Sequence, residues 1–288
     1  MGTADLVPGV SGGTMALVLG IYERLVAALR AATSWSSWVP LLRGDVRGFW
    51  RAVHAPFLAP VVSGIGVAVL ALAHLVEAAL ATYAVVLYAT FSGLILAATV
   101  LLLRRVVRWR PVDGATLLAA GLLTSLLLYG RPAEGEATTL ALVMAGAIGV
   151  SALVLPGISG ALILVLLGQY GRVIGAIADL DLVTLAPFAL GAVIGIATIA
   201  RLLDWLLRRA LSMTMAALVG VMLASLQRVW PWVDGDAERL RLLAPAGALG
   251  GDGWLVALAA AVVGFGAVVL LERVAGRRVV AREVEPAA

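Results

Sequence analysis

Small hydroxyl and glycine residues, not acids or imidazoles, carry the chemical signal in this chain. The stretch PGVSGGTMALVLGIYERLVAAL begins at Pro8, and PGISGALILVLLGQYGRVIGAI begins at Pro156. Aligned without a gap, Pro8, Gly9, Ser11, Gly12, Leu19, Gly20, Tyr22, Arg24 and Ala28 recur as Pro156, Gly157, Ser159, Gly160, Leu167, Gly168, Tyr170, Arg172 and Ala176. Glycine permits positive φ and a close backbone approach. A helix that starts just after such a turn aims free N–H groups and its positive dipole end at the break. Ser11, Thr14 and Ser159 add hydroxyl donors. Donors of this kind suit an oxyanion such as a phosphate. The sequence therefore offers Gly9, Ser11, Gly12, Gly13, Thr14, Gly157, Ser159 and Gly160 as an anion-binding set. The plainer alternative is that small residues let helices pack closely and that each turn satisfies the other's donors.

Other chemistries find little support. The chain has no cysteine, and His54 and His74 are its two histidines, not spaced as a metal pair. Thiol catalysis, disulfides and a zinc centre drop out, and neither a metal nor a cofactor is expected. All basic residues are arginine; they gather in loops, so the high isoelectric point implies no nucleic-acid partner.

The elements that must hold the two turns lie in a lipid solvent. Apolar residues make up 62% of the chain and charged ones 13%, against roughly 45–50% and 25% in soluble domains. A spanning helix needs about 20 mostly apolar residues. Spans are predicted at 57–79, 81–103, 112–129, 185–207, 211–229 and 254–271. Residues 31–56, rich in Trp and Arg, read as an interfacial segment. Segments 1–30 and 138–178 are too short on either side of their turns to cross. They are expected as re-entrant or broken helices, with the helix after the first turn running from about Met15 to Ala28.

Charge decides the orientation. If both motif segments enter and leave on one side, the arginines of 30–51, 104–110, 208–209 and 273–282 all face the cytoplasm. The acidic loops around 134–136, 179–181 and 234–238 then face outward, and the C-terminus is cytoplasmic. The first turn dips in from inside and the second from outside. The likeness extends further, with LAPVVSGIGVAVLALAHLVE from Leu58 parallel to LAPFALGAVIGIATIARLLD from Leu185, and FSGLILAA from Phe91 parallel to LVGVMLAS from Leu218. The expected fold is an all-α polytopic membrane protein with an inverted repeat, one half at 1–110 and the other at 138–232. Residues 111–137 link the halves, and 233–288 hold an outer loop, the last span and a tail. Inverted repeats with broken helices are the architecture of secondary transporters.

Several charged residues are weighed beside the turns. Arg24 and Arg172 lie 13 positions after their serines, about 20 Å along a straight helix, and are read as docking points for an anionic headgroup at the two mouths, or as simple snorkelling arginines. Asp5 is an intramembrane acid that could couple transport to protons. Glu77 with His74, and Arg201 with Asp204, take equivalent i, i+3 positions and are read as coupling residues or interfacial ion pairs.

The stretch GTADLVPGVSGGTMALVLGIYERL, with LPGISGALILVLLGQY and ASLQRVWPW, resembles a family of bacterial and archaeal membrane proteins. Its characterised members are polyprenyl-phosphate translocases of the PopT type. The resemblance implies a non-enzymatic flippase in the plasma membrane that returns undecaprenyl phosphate, or a related carrier lipid, to the cytoplasmic leaflet for reuse in cell-envelope polymer synthesis. Two rivals stay open on residues alone: a small-anion or ion transporter, and a polyprenyl-pyrophosphate phosphatase. In a membrane phosphatase family with a similar Pro-Gly-x-Ser turn, arginine follows the serine and an acidic pair supplies the base; here Gly12 and Gly160 follow the serines, and no paired glutamates occur in an apolar segment.

Overall fold

A computed structural model describes residues 1–2, 11–106, 108–129, 138–234, 241–242 and 253–284. Asp5, Gly9 and most of the two outer acidic loops at 134–136 and 234–238 lie outside the described residues. The described chain is helical apart from one two-residue antiparallel ladder, Val233–Asp234 with Arg241–Leu242.

The first turn opens α1 (Gly12–Val18), followed by α2 (Tyr22–Ala32) and the short helices α3 (Trp35–Leu42) and α4 (Val46–Ala52). Then comes α5 (Ala55–Arg105), whose 51 residues would measure about 76 Å if straight, far beyond a bilayer core of roughly 30 Å. A break at Tyr83 (φ −128°, ψ 35°) divides it, and Ala55–Leu72 and Thr82–Arg104 are each apolar enough to span. Helix α6 (Pro111–Leu128) starts with proline in its first turn and with Asp113, whose carboxylate accepts the Arg110 backbone N–H at 2.9 Å. Proline has no N–H to strand there.

Helix α7 (Thr139–Val154) leads into the second turn, which opens α8 (Gly160–Leu166) and α9 (Tyr170–Ala178). The chain continues as α10 (Leu182–Arg209), α11 (Leu211–Ser225) and α12 (Gly253–Val284). Asp181 caps α10, its carboxylate accepting the Val183 and Thr184 N–H groups at 3.0 and 3.3 Å. Five helical stretches are long and apolar enough to cross a membrane, or six if the bent pair α8–α9 counts as one. The protein is a multi-pass membrane protein.

Three helix pairs are drawn together by glycine. Gly191 and Gly195 of α10 lie against the Val143 and Ala147 carbonyls of α7, where any Cβ would overlap the neighbouring backbone. Gly93 of α5 abuts Ala261 of α12 in the same way, and Gly220 of α11 abuts Leu117 of α6. In the alignment of 91–98 with 218–225, Gly93 and Gly220 hold the same position. Without a water-driven hydrophobic effect between helices, such close backbone approach is a main source of association in lipid. The buried core runs through α1, α2, α5 and α11, with Tyr22, Ile95, Met215 and Met222 fully enclosed.

The helix after each turn departs from expectation. It does not run on from about Met15 to Ala28; it ends after seven residues, at Val18 and again at Leu166. Gly20 (φ +68°) and Gly168 (φ +64°) terminate the two segments identically. The Gly20 N–H reaches the Leu17 carbonyl and the Ile21 N–H the Ala16 carbonyl, both at 2.9 Å. Gly168 with Val165, and Gln169 with Leu164, repeat that arrangement at the same distances. This is the glycine-terminated helix end that needs a left-handed residue. The shared Leu-Gly-x-Tyr of the two motifs is therefore a second break. Between α8 and α9 it bends the chain by 119°.

Candidate functional site

Local sequence places each serine at a helix start. Ser11 (φ −123°, ψ 137°) is the N-cap of α1, its Oγ accepting the Gly13 N–H at 3.1 Å. Ser159 (φ −87°, ψ 126°) is the N-cap of α8, but its side chain makes no capping hydrogen bond. Gly157, at φ +85°, gives the second turn its left-handed residue.

The two turns, 148 positions apart in the alignment of the motifs, touch. Ser11 Oγ donates to the Leu155 carbonyl at 3.1 Å, and the Gly157 N–H donates to Thr14 Oγ1 at 3.0 Å. A Cβ on Gly13 would come within 2.9 Å of the Val154 carbonyl oxygen, so only glycine lets the segments approach this closely. Gly157 is pressed in turn against α11, where an added Cβ would lie 3.0 Å from the Met222 Cα and 3.2 Å from Ser225 Oγ. Ser11, Gly12, Gly13, Thr14, Gly157 and Gly160 are all buried, and Ser159 is half-buried.

This geometry divides the predicted set. The hydroxyls of Ser11 and Thr14 are engaged by the opposite turn, which is the packing role set out above. The Ser159 hydroxyl makes no such bond among the described residues, and Ser159 is half-buried. The contact is thus a pair of polar bridges in an apolar setting, where an unmade hydrogen bond is costly.

The charged residues sort differently from their sequence reading. Arg24 is exposed and its guanidinium stacks over the Phe57 ring, 4.4 Å from the centroid. Arg172 sits on α9, beyond the 119° bend, so the straight-helix separation from Ser159 does not apply. One of its terminal nitrogens is buried without a hydrogen-bond partner, and its charge acts on Asp181. The Asp181 carboxyl is held below the ordinary carboxylate range, first by the Thr184 side chain and backbone and last by Arg172. Glu77 lies within α5 and its side chain is outside the described residues.

The expected Arg201–Asp204 pair does not form. Arg201 donates to the carbonyls of Ala197 and Thr33 at 3.0 and 2.9 Å, reaching across to the end of α2. Asp204 instead receives Arg30 of α2 at 2.8 Å and Arg208 at 3.1 Å. An i, i+3 spacing places side chains on neighbouring turns but does not choose among competing partners. Arg208 at i+4 and Arg30 from another helix win here. The contribution of Arg30 carried no local signal in the sequence.

Residues 1–242 match the family model described as VCA0040-like, undecaprenyl phosphate translocase-like. The chain belongs to that family. A protein of Vibrio cholerae serotype O1 named polyprenyl-phosphate transporter is 33% identical over 250 residues, covering 84% of this chain and 81% of the relative. No solved structure matches. The match takes in both turns and stops short of α12.

Proposed function

We propose that this protein moves undecaprenyl phosphate, or a related polyprenyl phosphate, between the leaflets of the plasma membrane, returning the carrier to the cytoplasmic side, and that it does so as a transporter and not as an enzyme. Family membership and the relative's name support the substrate class. The observation that carries the mechanism is the meeting of the two turns through Ser11, Thr14, Leu155 and Gly157. A headgroup crossing the bilayer needs a polar station in its interior, while a prenyl tail can remain in lipid.

The turns supply that station. The phosphate first engages the Ser159 hydroxyl and the N–H groups at the start of the second segment. It then takes over the Gly157 N–H from Thr14 and the Ser11 hydroxyl from the Leu155 carbonyl. Gly12 is the further backbone position we assign to the headgroup, while Gly13 and Gly160 serve the close approach to the Val154 and Gly149 carbonyls. Exchanging one set of hydrogen bonds for another keeps buried donors satisfied throughout, so no step leaves one bare.

The topology we infer is an inverted repeat of residues 1–110 and 138–232, the first turn re-entering from the cytoplasm and the second from outside. The recurring seven-residue helix, glycine break and Gly93/Gly220 contacts support it. So does the Arg30–Asp204 bridge, which joins two segments that the arginine distribution assigns to one face. In that frame Arg24 and Arg172 stand at opposite mouths, and the C-terminus is cytoplasmic.

The test is leaflet exchange of a short-chain prenyl phosphate in proteoliposomes. Protein-bearing vesicles should exchange the lipid faster than empty ones. Ser159→Ala should slow exchange at least as much as Ser11→Ala. Folded protein that gives no acceleration overturns the transport reading. Acceleration untouched by Ser159→Ala, Ser11→Ala or both moves the passage away from the turns.

A further inference from the structure

The seam between the end of α2 and the last two turns of α10 is unusually rich in uncompensated positive charge. Arg201, Asp204 and Arg208 form an i, i+3, i+7 stripe along α10, so all three project to one side. Arg30 reaches into the stripe from α2. Asp204, with its side chain 12% exposed, serves both Arg30 and Arg208, which are 47% and 69% exposed. Two guanidinium groups thus share one carboxylate, and a third, that of Arg201, stands beside them. Arg201 makes its two hydrogen bonds to neutral carbonyls, and its charge meets no carboxylate among the described residues. Of its five N–H groups, three remain for another acceptor.

The position of the seam identifies the acceptor. Helix α10 is an apolar span, and the stripe lies at its terminal end. Trp205 on the same face is 53% exposed, and Trp35, beginning α3 just beyond the seam, is 74% exposed. Trp38 anchors α3 there by donating its indole N–H to the Ala32 carbonyl at 2.8 Å. Exposed tryptophans at the end of a span mark the headgroup level of a bilayer. Basic pockets between helices at that level recognise anionic lipid headgroups.

We propose that the α2–α10 seam is a binding site for the phosphodiester of an anionic phospholipid, with Arg201 and Arg208 as its main contacts. The acyl chains lie along Leu202 and Trp205. Asp204 holds Arg30 and Arg208 in place and leaves the seam with two positive charges in excess. The site does not depend on the transport reading; it requires only that α10 crosses the membrane.

The full chain is purified from nanodiscs of phosphatidylcholine with one tenth phosphatidylglycerol into a non-ionic detergent, and the retained lipids are measured by mass spectrometry. Wild-type protein should retain phosphatidylglycerol well above its share. Each arginine is worth roughly fivefold at an anionic surface, so R201Q/R208Q should lower the retained ratio by up to about 25-fold, towards that of the mixture. R201K/R208K should keep most of it. R47Q/R51Q, on α4 away from the seam, should match wild type. An unchanged ratio in R201Q/R208Q, or an equal loss in R47Q/R51Q, overturns the proposal. If the glutamine variant does not yield monodisperse protein, a wash of wild type in about 1 M salt should strip the preference; a ratio that survives the wash overturns it.

Discussion

Replacing Thr14 by valine isolates the contact between the two turns. Valine has nearly the shape of threonine, so the packing of the fully buried Thr14 side chain is preserved. What disappears is the acceptor of the Gly157 N–H, 3.0 Å away and itself buried. A buried donor left without a partner costs about 1–3 kcal/mol. That lowers the free energy of local opening around Gly157 by the same amount and should speed exchange of its amide hydrogen by roughly 5- to 150-fold. Thr14→Ser keeps the acceptor and loses one methyl group, worth about 0.8 kcal/mol, and should accelerate exchange about fourfold or less. The assay is hydrogen exchange by mass spectrometry on nanodisc-embedded protein, following the peptide that contains 155–159. Valine should exceed serine, and amides of α12 should not change. If Gly157 is as protected in Thr14→Val as in wild type, the turns do not hold each other by this bond.

Other perturbations test the frame around the turns. Gly93→Ala and Gly220→Ala each drive a Cβ into a facing carbonyl and should cost about 1–3 kcal/mol in thermal unfolding, whereas Gly266→Ala, which meets open space, should be neutral or mildly stabilising. A double-mutant cycle of Arg30→Ala and Asp204→Ala, read by the same melts, should give a coupling of about 0.5–1 kcal/mol, the exposure of Arg30 holding it near the surface-pair range. Asp181 has a folded-state affinity for protons below its unfolded one, so its contribution is present above the unfolded carboxyl range, near 3.9, and is lost as pH falls through the lower folded value. Exchange at the start of α10 should therefore rise on acidification below about pH 4 in wild type, and Asp181→Asn should flatten that dependence.

Much of this architecture was legible in composition and length. Apolar runs of about 20 residues gave five of the six expected spans, because lipid leaves a chain few ways to satisfy its backbone; the sixth, expected at 211–229, is the 15-residue helix α11, which ends at Ser225 and is shorter than a span. Pro-Gly-x-Ser-Gly announces a helix starting just after each turn, but its serines read as anion donors, and the order of residues does not show the capping bond that Ser11 makes and Ser159 does not. The break at Gly20 and Gly168 was present in the alignment as an identity, but an isolated glycine inside an apolar run reads equally as helix interior. Only the pairing of Gly20 and Gly168 at one position carried the information. The partner of Asp204 was not legible, because Arg30 lies 174 residues away and the local Arg201 competes for the same expectation. The bridging of Ser11 and Thr14 to the opposite turn was foreseen only as an alternative to ligand binding, since spacing alone does not say which acceptor a hydroxyl will find.

The pairing of α5 with α12, and of α6 with α11, bears on how the protein is made. The face around Gly93 is synthesised well before the strip that covers it, around Ala261, far later in the chain. Membrane insertion of α5 must therefore precede its final docking, and a chain lacking α12 would leave that face open to lipid or to quality-control proteases.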